Sequence, residues 1–112
     1  MKSIQVRSDS RTKVDMNLRS AKLPYYKAKL IDLSQGGAKL RLRAKPSSSL
    51  VNEEMKFSAS LPRRSKDLFR GQAKVVWEKE TKQGFTLGLR WSELPSYAEK
   101  AIAAAQLYAT NG

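Results

Sequence analysis

The stretch YYKAKLIDLSQGGAKLRLR, residues 25–43, alternates on both sides of one polar break. Before the break, Tyr26, Ala28 and Leu30 stand against Lys27 and Lys29. After it, Ala38, Leu40 and Leu42 stand against Lys39, Arg41 and Arg43. Successive side chains of a strand point to opposite faces, so each half reads as a half-buried strand with its apolar side inward. The SQGG between them carries two glycines, which mark a turn needing positive φ or a close backbone approach. Strand, tight turn and strand make a hairpin.

The same rhythm recurs on either side. VDMNLRS puts Val14, Met16 and Leu18 on one face, and MKFSASL does the same for Met55, Phe57, Ala59 and Leu61. In LFRGQAKVVWEKE the alternation places Ala73, Val75 and Trp77 together on the apolar side. In GFTLGLRW it groups Phe85, Leu87, Leu89 and Trp91, with Gly88 and Arg90 opposite. KPSSS, PRRSKD and TKQG separate these runs as turns. From residue 93 the period becomes helical. Ser96 and Glu99 have the spacing of a capping box, and Ala98, Ile102 and Ala105 share a face that can lie on a sheet. The expectation is an all-β, six-stranded antiparallel barrel over residues 14–92. A flexible basic arm, residues 1–13, precedes it, and a helix over 93–112 packs on it.

Composition narrows the function. The 112 residues suit one domain, and 22 Lys+Arg against 10 Asp+Glu give a net charge of +12. That balance favours an anionic partner: nucleic acid, nucleotide, acidic protein or membrane surface. There is no cysteine and no histidine. This removes disulfides, thiolate metal sites and the commonest general base, and it fits a cytoplasmic protein. The scattered carboxylates have no metal-ligand spacing, and no apolar run is long enough to span a bilayer. No enzymatic role, metal or cofactor is expected.

Two polar constellations stand out. Arg7 and Arg11 lie four apart on the arm, in RSDSR. Guanidinium forks pair bidentately with phosphates and with the O6/N7 edge of guanine, and they stack on purines. Asp32 and Ser34 flank Leu33 at the hairpin break, followed by Gly36 and Gly37. A carboxylate can accept from guanine N–H groups, a hydroxyl can donate or accept, and glycines bring backbone amides close. Taken singly, each half is better read without a ligand: two arginines four apart arise by chance in a basic chain, and Asp32 and Ser34 can simply bond the turn backbone.

Together they resemble the PilZ domain family, whose signatures are R-x-x-x-R on an N-terminal arm and D/N-x-S-x-x-G at a hairpin. Here these stand as Arg7 to Arg11 and Asp32-Leu-Ser34-Gln-Gly-Gly37. VVWEKETKQGFTLGLRW also looks like that family's closing hairpin, and the resemblance runs from Val6 to about Leu94. It implies a six-stranded barrel that binds cyclic di-GMP, a bacterial second messenger, and signals to a downstream protein effector. It also implies roles: Arg7 and Arg11 clamp phosphate and guanine, Asp32 and Ser34 read a guanine edge, and Gly37 shapes the turn. Trp77 and Arg41 are weaker candidates for the ligand, as is Gly36.

Two alternatives compete. A small basic barrel could bind RNA or single-stranded DNA, which calls for aromatics on an exposed sheet face. The inward assignment of Phe57, Phe85 and Trp91 counts against this. An adaptor that only docks a protein would have no use for intact motifs.

Overall fold

A computed structural model describes residues 10–64 and 66–111. Six strands are present: β1 (Thr12–Arg19), β2 (Lys27–Leu33), β3 (Gly37–Leu42), β4 (Glu54–Ser60), β5 (Phe69–Thr81) and β6 (Gly84–Glu93). One helix follows, α1 (Ala98–Asn111). The strands close a barrel in the order β1-β2-β3-β6-β5-β4, with every pairing antiparallel. Among the described residues no helix is long and apolar enough to cross a membrane.

The inward residues are those the alternation selects. Leu18, Leu30, Leu40, Val75 and Leu87 have no exposed surface, and Met16 and Met55 have almost none. Phe57 stacks on Trp91 with ring centroids 5.1 Å apart, and Phe69 meets both rings edge-on at 5.8 and 5.7 Å. Edge-to-face contacts set positive ring edges against negative faces, which adds to the burial of apolar area. Ala98, Ile102 and Ala105 are the buried face of α1, as their spacing predicts.

Four local readings change. β1 starts at Thr12, two residues before the alternation does, because Thr12 pairs with Leu33. Tyr26 is not an inward strand residue. It ends a 3-10 turn, Pro24–Tyr26, and is exposed. Tyr25 and Tyr26 take φ of 58° and 60°, so the chain reverses there and strand geometry begins only at Lys27. The helix begins at Ala98, whose amide donates to the Pro95 carbonyl, so Ser96 lies in the preceding turn and not at the cap.

The fourth change concerns Trp77, which the alternation places inward. On β5 two steps, Val75 to Trp77, oppose one step on β6, Leu89 to Gly88. Val76 is therefore the extra residue of a β-bulge. A one-residue slip moves every later side chain to the other face. Trp77 consequently stands outside the barrel, 37% exposed.

Gly37 answers the question its pair of glycines raised. Its φ is not positive; the requirement is space. A β-carbon there would collide with the carbonyl oxygen of Leu89 on β6. Because that obstacle is backbone, Gly37→Ala should destabilise the domain by roughly 1–3 kcal/mol, read from urea unfolding. Phe69→Ala, which empties the centre of the aromatic cluster, should cost about 3–5 kcal/mol in the same measurement.

Candidate functional site

The hairpin turn is tied by one side chain. The Ser34 hydroxyl accepts from the amides of Gly36 and Gly37, each at 3.2 Å, and donates to the Gly37 carbonyl at 3.3 Å. The Ser34 amide donates to the same carbonyl at 2.9 Å. Trp91 on β6 locks the turn, donating its indole N–H to the Ser34 carbonyl and its amide to the Gly36 carbonyl. Ser34 is buried, and its hydroxyl hydrogen is already committed within the turn. The structure thus gives Ser34 a turn-building role, while Gly36 stays exposed at the tip.

Asp32 reaches the outer wall through a second bulge. On β2 the steps from Leu30 to Asp32 oppose a single step on β3, Leu40 to Lys39, so Ile31 is extra. Leu30 and Leu33 both point inward, and Asp32 is left outward with its side chain 18% exposed. Were Ile31 paired as an ordinary strand residue, with no bulge, the alternation from Leu30 would turn the carboxylate inward.

Arg11 stands beside it. Its Nη1 lies 3.9 Å from Asp32 Oδ2, and the Arg11 side chain is 58% exposed. At that distance the pair is an ion contact without a formed hydrogen bond, and exposed pairs of this kind contribute about 0–1 kcal/mol. The contact brings the two groups together without tying either one up. Arg7 lies outside the described residues.

The two bulges align with one another. Lys13 on β1 pairs with Asp32 on β2, Asp32 with Lys39 on β3, Lys39 with Gly88 on β6, and Gly88 with Trp77 on β5. These five residues form one row across the outer wall. From Asp32 to Trp77 there are three strand spacings, roughly 14 Å at about 4.8 Å each. Gly88 is what lets the row end in a flat ring: a β-carbon there would run into the Trp77 indole. Beside the ring is an open cavity of about 440 Å³, lined by Lys39, Arg41, Lys79, Ile31, Trp77 and Thr86 among others. Its lining holds three cations and no carboxylate, so it favours an anion.

A larger cavity of about 880 Å³ lies elsewhere, over the outer faces of β4 and β5 near Tyr26 and Leu94. Neither cavity is lined by a motif residue, but the smaller one holds the candidates Arg41 and Trp77, while in the larger Arg70 is already paired with Asp67 at 3.3 Å. The chemistry gathers in the smaller one. Lys79 and Gly88 were not picked out as site residues by their sequence. The available signal was a glycine on the polar face of β6, where nothing in the alternation calls for one.

Comparison with known proteins gives the fold a family. The PilZ domain model matches residues 5–106. The inhibitor of motility MotI/DgrA of Bacillus subtilis superposes with a TM-score of 0.72 at 20% identity, over 99% of this chain and 53% of that one. The chain thus spans about half the length of that protein. The PilZ domain of YcgR from Escherichia coli, solved with c-di-GMP, gives a TM-score of 0.69 at 16% identity, over 96% of this chain and 93% of that one. YcgR in complex with c-di-GMP gives 0.72 at 16% identity, over 96% of this chain and 47% of that one. A sequence search among curated proteins found no match. The likeness in structure is one of fold, and the family match covers nearly the whole length: the chain belongs to the PilZ domain family.

Proposed function

We propose that this protein is a receptor for cyclic di-GMP, using the outer wall from Arg11 to Trp77 as its binding face. The observation that carries the reading is the in-register row of Asp32, Lys39, Gly88 and Trp77, with Arg11 at its head. A cyclic dinucleotide presents two guanines and two phosphates. The row offers a carboxylate for a guanine N–H edge, cations for phosphate and a flat ring for stacking. Arg11 would leave its weak contact with Asp32 to engage the ligand, and Arg7 would join it from the arm. Gly37 and Ser34 serve by holding the turn, and Lys39, Arg41 and Lys79 draw the anion in. The ligand changes the surface around the arm, and a protein effector reads that change.

The polymer-binding alternative is the weaker reading. Phe57, Phe69 and Trp91 are packed against one another within the barrel and Phe85 is buried. Among the described residues Trp77 is thus the one strand aromatic on the outer wall, where a polymer calls for a series of stacking rings. Titration calorimetry with cyclic di-GMP, with GMP and GTP as controls, tests the proposal. A shallow salt dependence is expected, since a ligand with two phosphates releases few counterions. Binding that is absent, or equal for GTP, would overturn it.

Arg11→Ala should weaken cyclic di-GMP binding about tenfold or more, since hydrogen bonds to a charged group contribute about 1.5–3 kcal/mol. Asp32→Ala should weaken it as well, whereas Asp67→Ala should not; Asp67 pairs with Arg70 away from the row. Equal losses in both aspartate variants would mean that bulk charge is at work. Trp77→Ala and Gly88→Ala should each lower affinity about tenfold, because stacking on an aromatic ring contributes about 1–3 kcal/mol per base. The first removes the ring and the second tilts it. Unchanged affinity in both would remove Trp77 from the site.

A further inference from the structure

Beyond its packing face, α1 touches both halves of the candidate site. The Gln106 side chain donates from Nε2 to the Leu33 carbonyl at 3.0 Å and to the Ser10 carbonyl at 3.1 Å. A carboxamide nitrogen carries two hydrogens, so one goes to each acceptor. Both acceptors are neighbours in sequence of ligand-reading residues: Ser10 precedes Arg11, and Leu33 follows Asp32. Thr12 and Leu33 are the last register pair of β1 with β2 at this end. Past it, the Gln106 amide takes over where backbone pairing stops, and it keeps the two chains side by side. The Arg11–Asp32 approach of 3.9 Å lies next to this bridge.

A second contact reaches the turn. Gln35, within the S-x-x-G segment, donates from Nε2 to the carbonyl of Glu99 in the first turn of α1 at 3.0 Å. The helix does not need either glutamine for its seat, since Ala98, Ile102 and Ala105 already bury its inner face. Gln106 is only half-buried, beside that face. Its two bonds connect residues 96 and 73 positions apart, and each joins helix to site rather than helix to core.

We infer that Gln106 is a positioning residue for the cyclic di-GMP site, holding the Arg11 segment against Asp32 from the helix. The inference rests on the function proposed above. It also makes α1 part of the receptor's response. Ligand and helix hold the same two chain segments, so by linkage each strengthens the other's hold. A ligand that orders Ser10 and Arg11 tightens the seat of α1, and a partner that pulls α1 away weakens the ligand.

The test uses Gln106→Met, which keeps length and helix propensity but has no N–H donor, and Gln106→Ala as a second donor-free variant. Thr110→Val is the control, because the Thr110 hydroxyl bonds only to carbonyls of its own helix. Amide hydrogen exchange on the ligand-free proteins should show faster exchange at residues 10–13 in both Gln106 variants and no change there in the control. Titration should show cyclic di-GMP affinity about tenfold lower in both, with thermal unfolding close to wild type. In wild type, ligand should slow exchange in α1; in the Gln106 variants that effect should be lost. Unchanged exchange at residues 10–13, or unchanged affinity, overturns the positioning role. Should wild type not bind cyclic di-GMP while exchange at residues 10–13 still rises in the variants, the proposed ligand is what fails, and the role inferred for Gln106 falls with it.

Discussion

The Ser34 hydroxyl accepts two backbone amides and donates to one carbonyl, and on that knot the turn between β2 and β3 depends. The turn can be this tight because Gly37 has no β-carbon to strike the Leu89 carbonyl. From that close approach follow the β3–β6 register, Gly37 to Arg90 through Leu42 to Phe85, and so the position of Gly88 opposite Lys39. A hydroxyl of the type that can read a ligand is thus used to build the wall on which the proposed ligand would lie. The amides of Gly36 and Gly37 are spent inside the turn, and the polar side chain it leaves outside for the proposed ligand is Asp32.

The outer wall has its own logic. Regular alternation in β2 and β5 would have turned Asp32 and Trp77 into the barrel, where an unpaired carboxylate is costly. One extra residue in each strand, Ile31 and Val76, reverses the parity and brings both onto the same row. Bulges locally disrupt the backbone ladder, and they are common beside sites where a side chain must be re-aimed. Here two of them serve one face. The cations beside Trp77 have no carboxylate among them, so their charge is available to an anion.

Helix α1 adds a third constraint. It is held by three small or aliphatic buried side chains, a shallow seat compared with the barrel's own core. Its polar contacts go to the two chain segments that frame Asp32. An element with a modest packing interface and bonds to the candidate site is suited to the response proposed for it.

Much of this was legible in the residues. Six alternating runs, polar turns and a helical tail determined the barrel and its helix, because a period of two or of 3.6 is a local property of the chain. The two arginines four apart and the D-x-S-x-x-G run marked where to look. The face taken by Trp77 was not legible, since a bulge adds a residue without altering composition or spacing enough to show. Nor was the turn-building use of Ser34, which depends on which hydrogen bonds its hydroxyl makes in three dimensions. The strand start at Thr12 was set by a partner, Leu33, and the late helix start by the turn at Pro95. Gln106 looked like one more polar residue on a helix; its acceptors are 96 and 73 positions away. Local periodicity decides which elements form, but only closure of the barrel decides which side chains share a row, because register is set between strands and not along them.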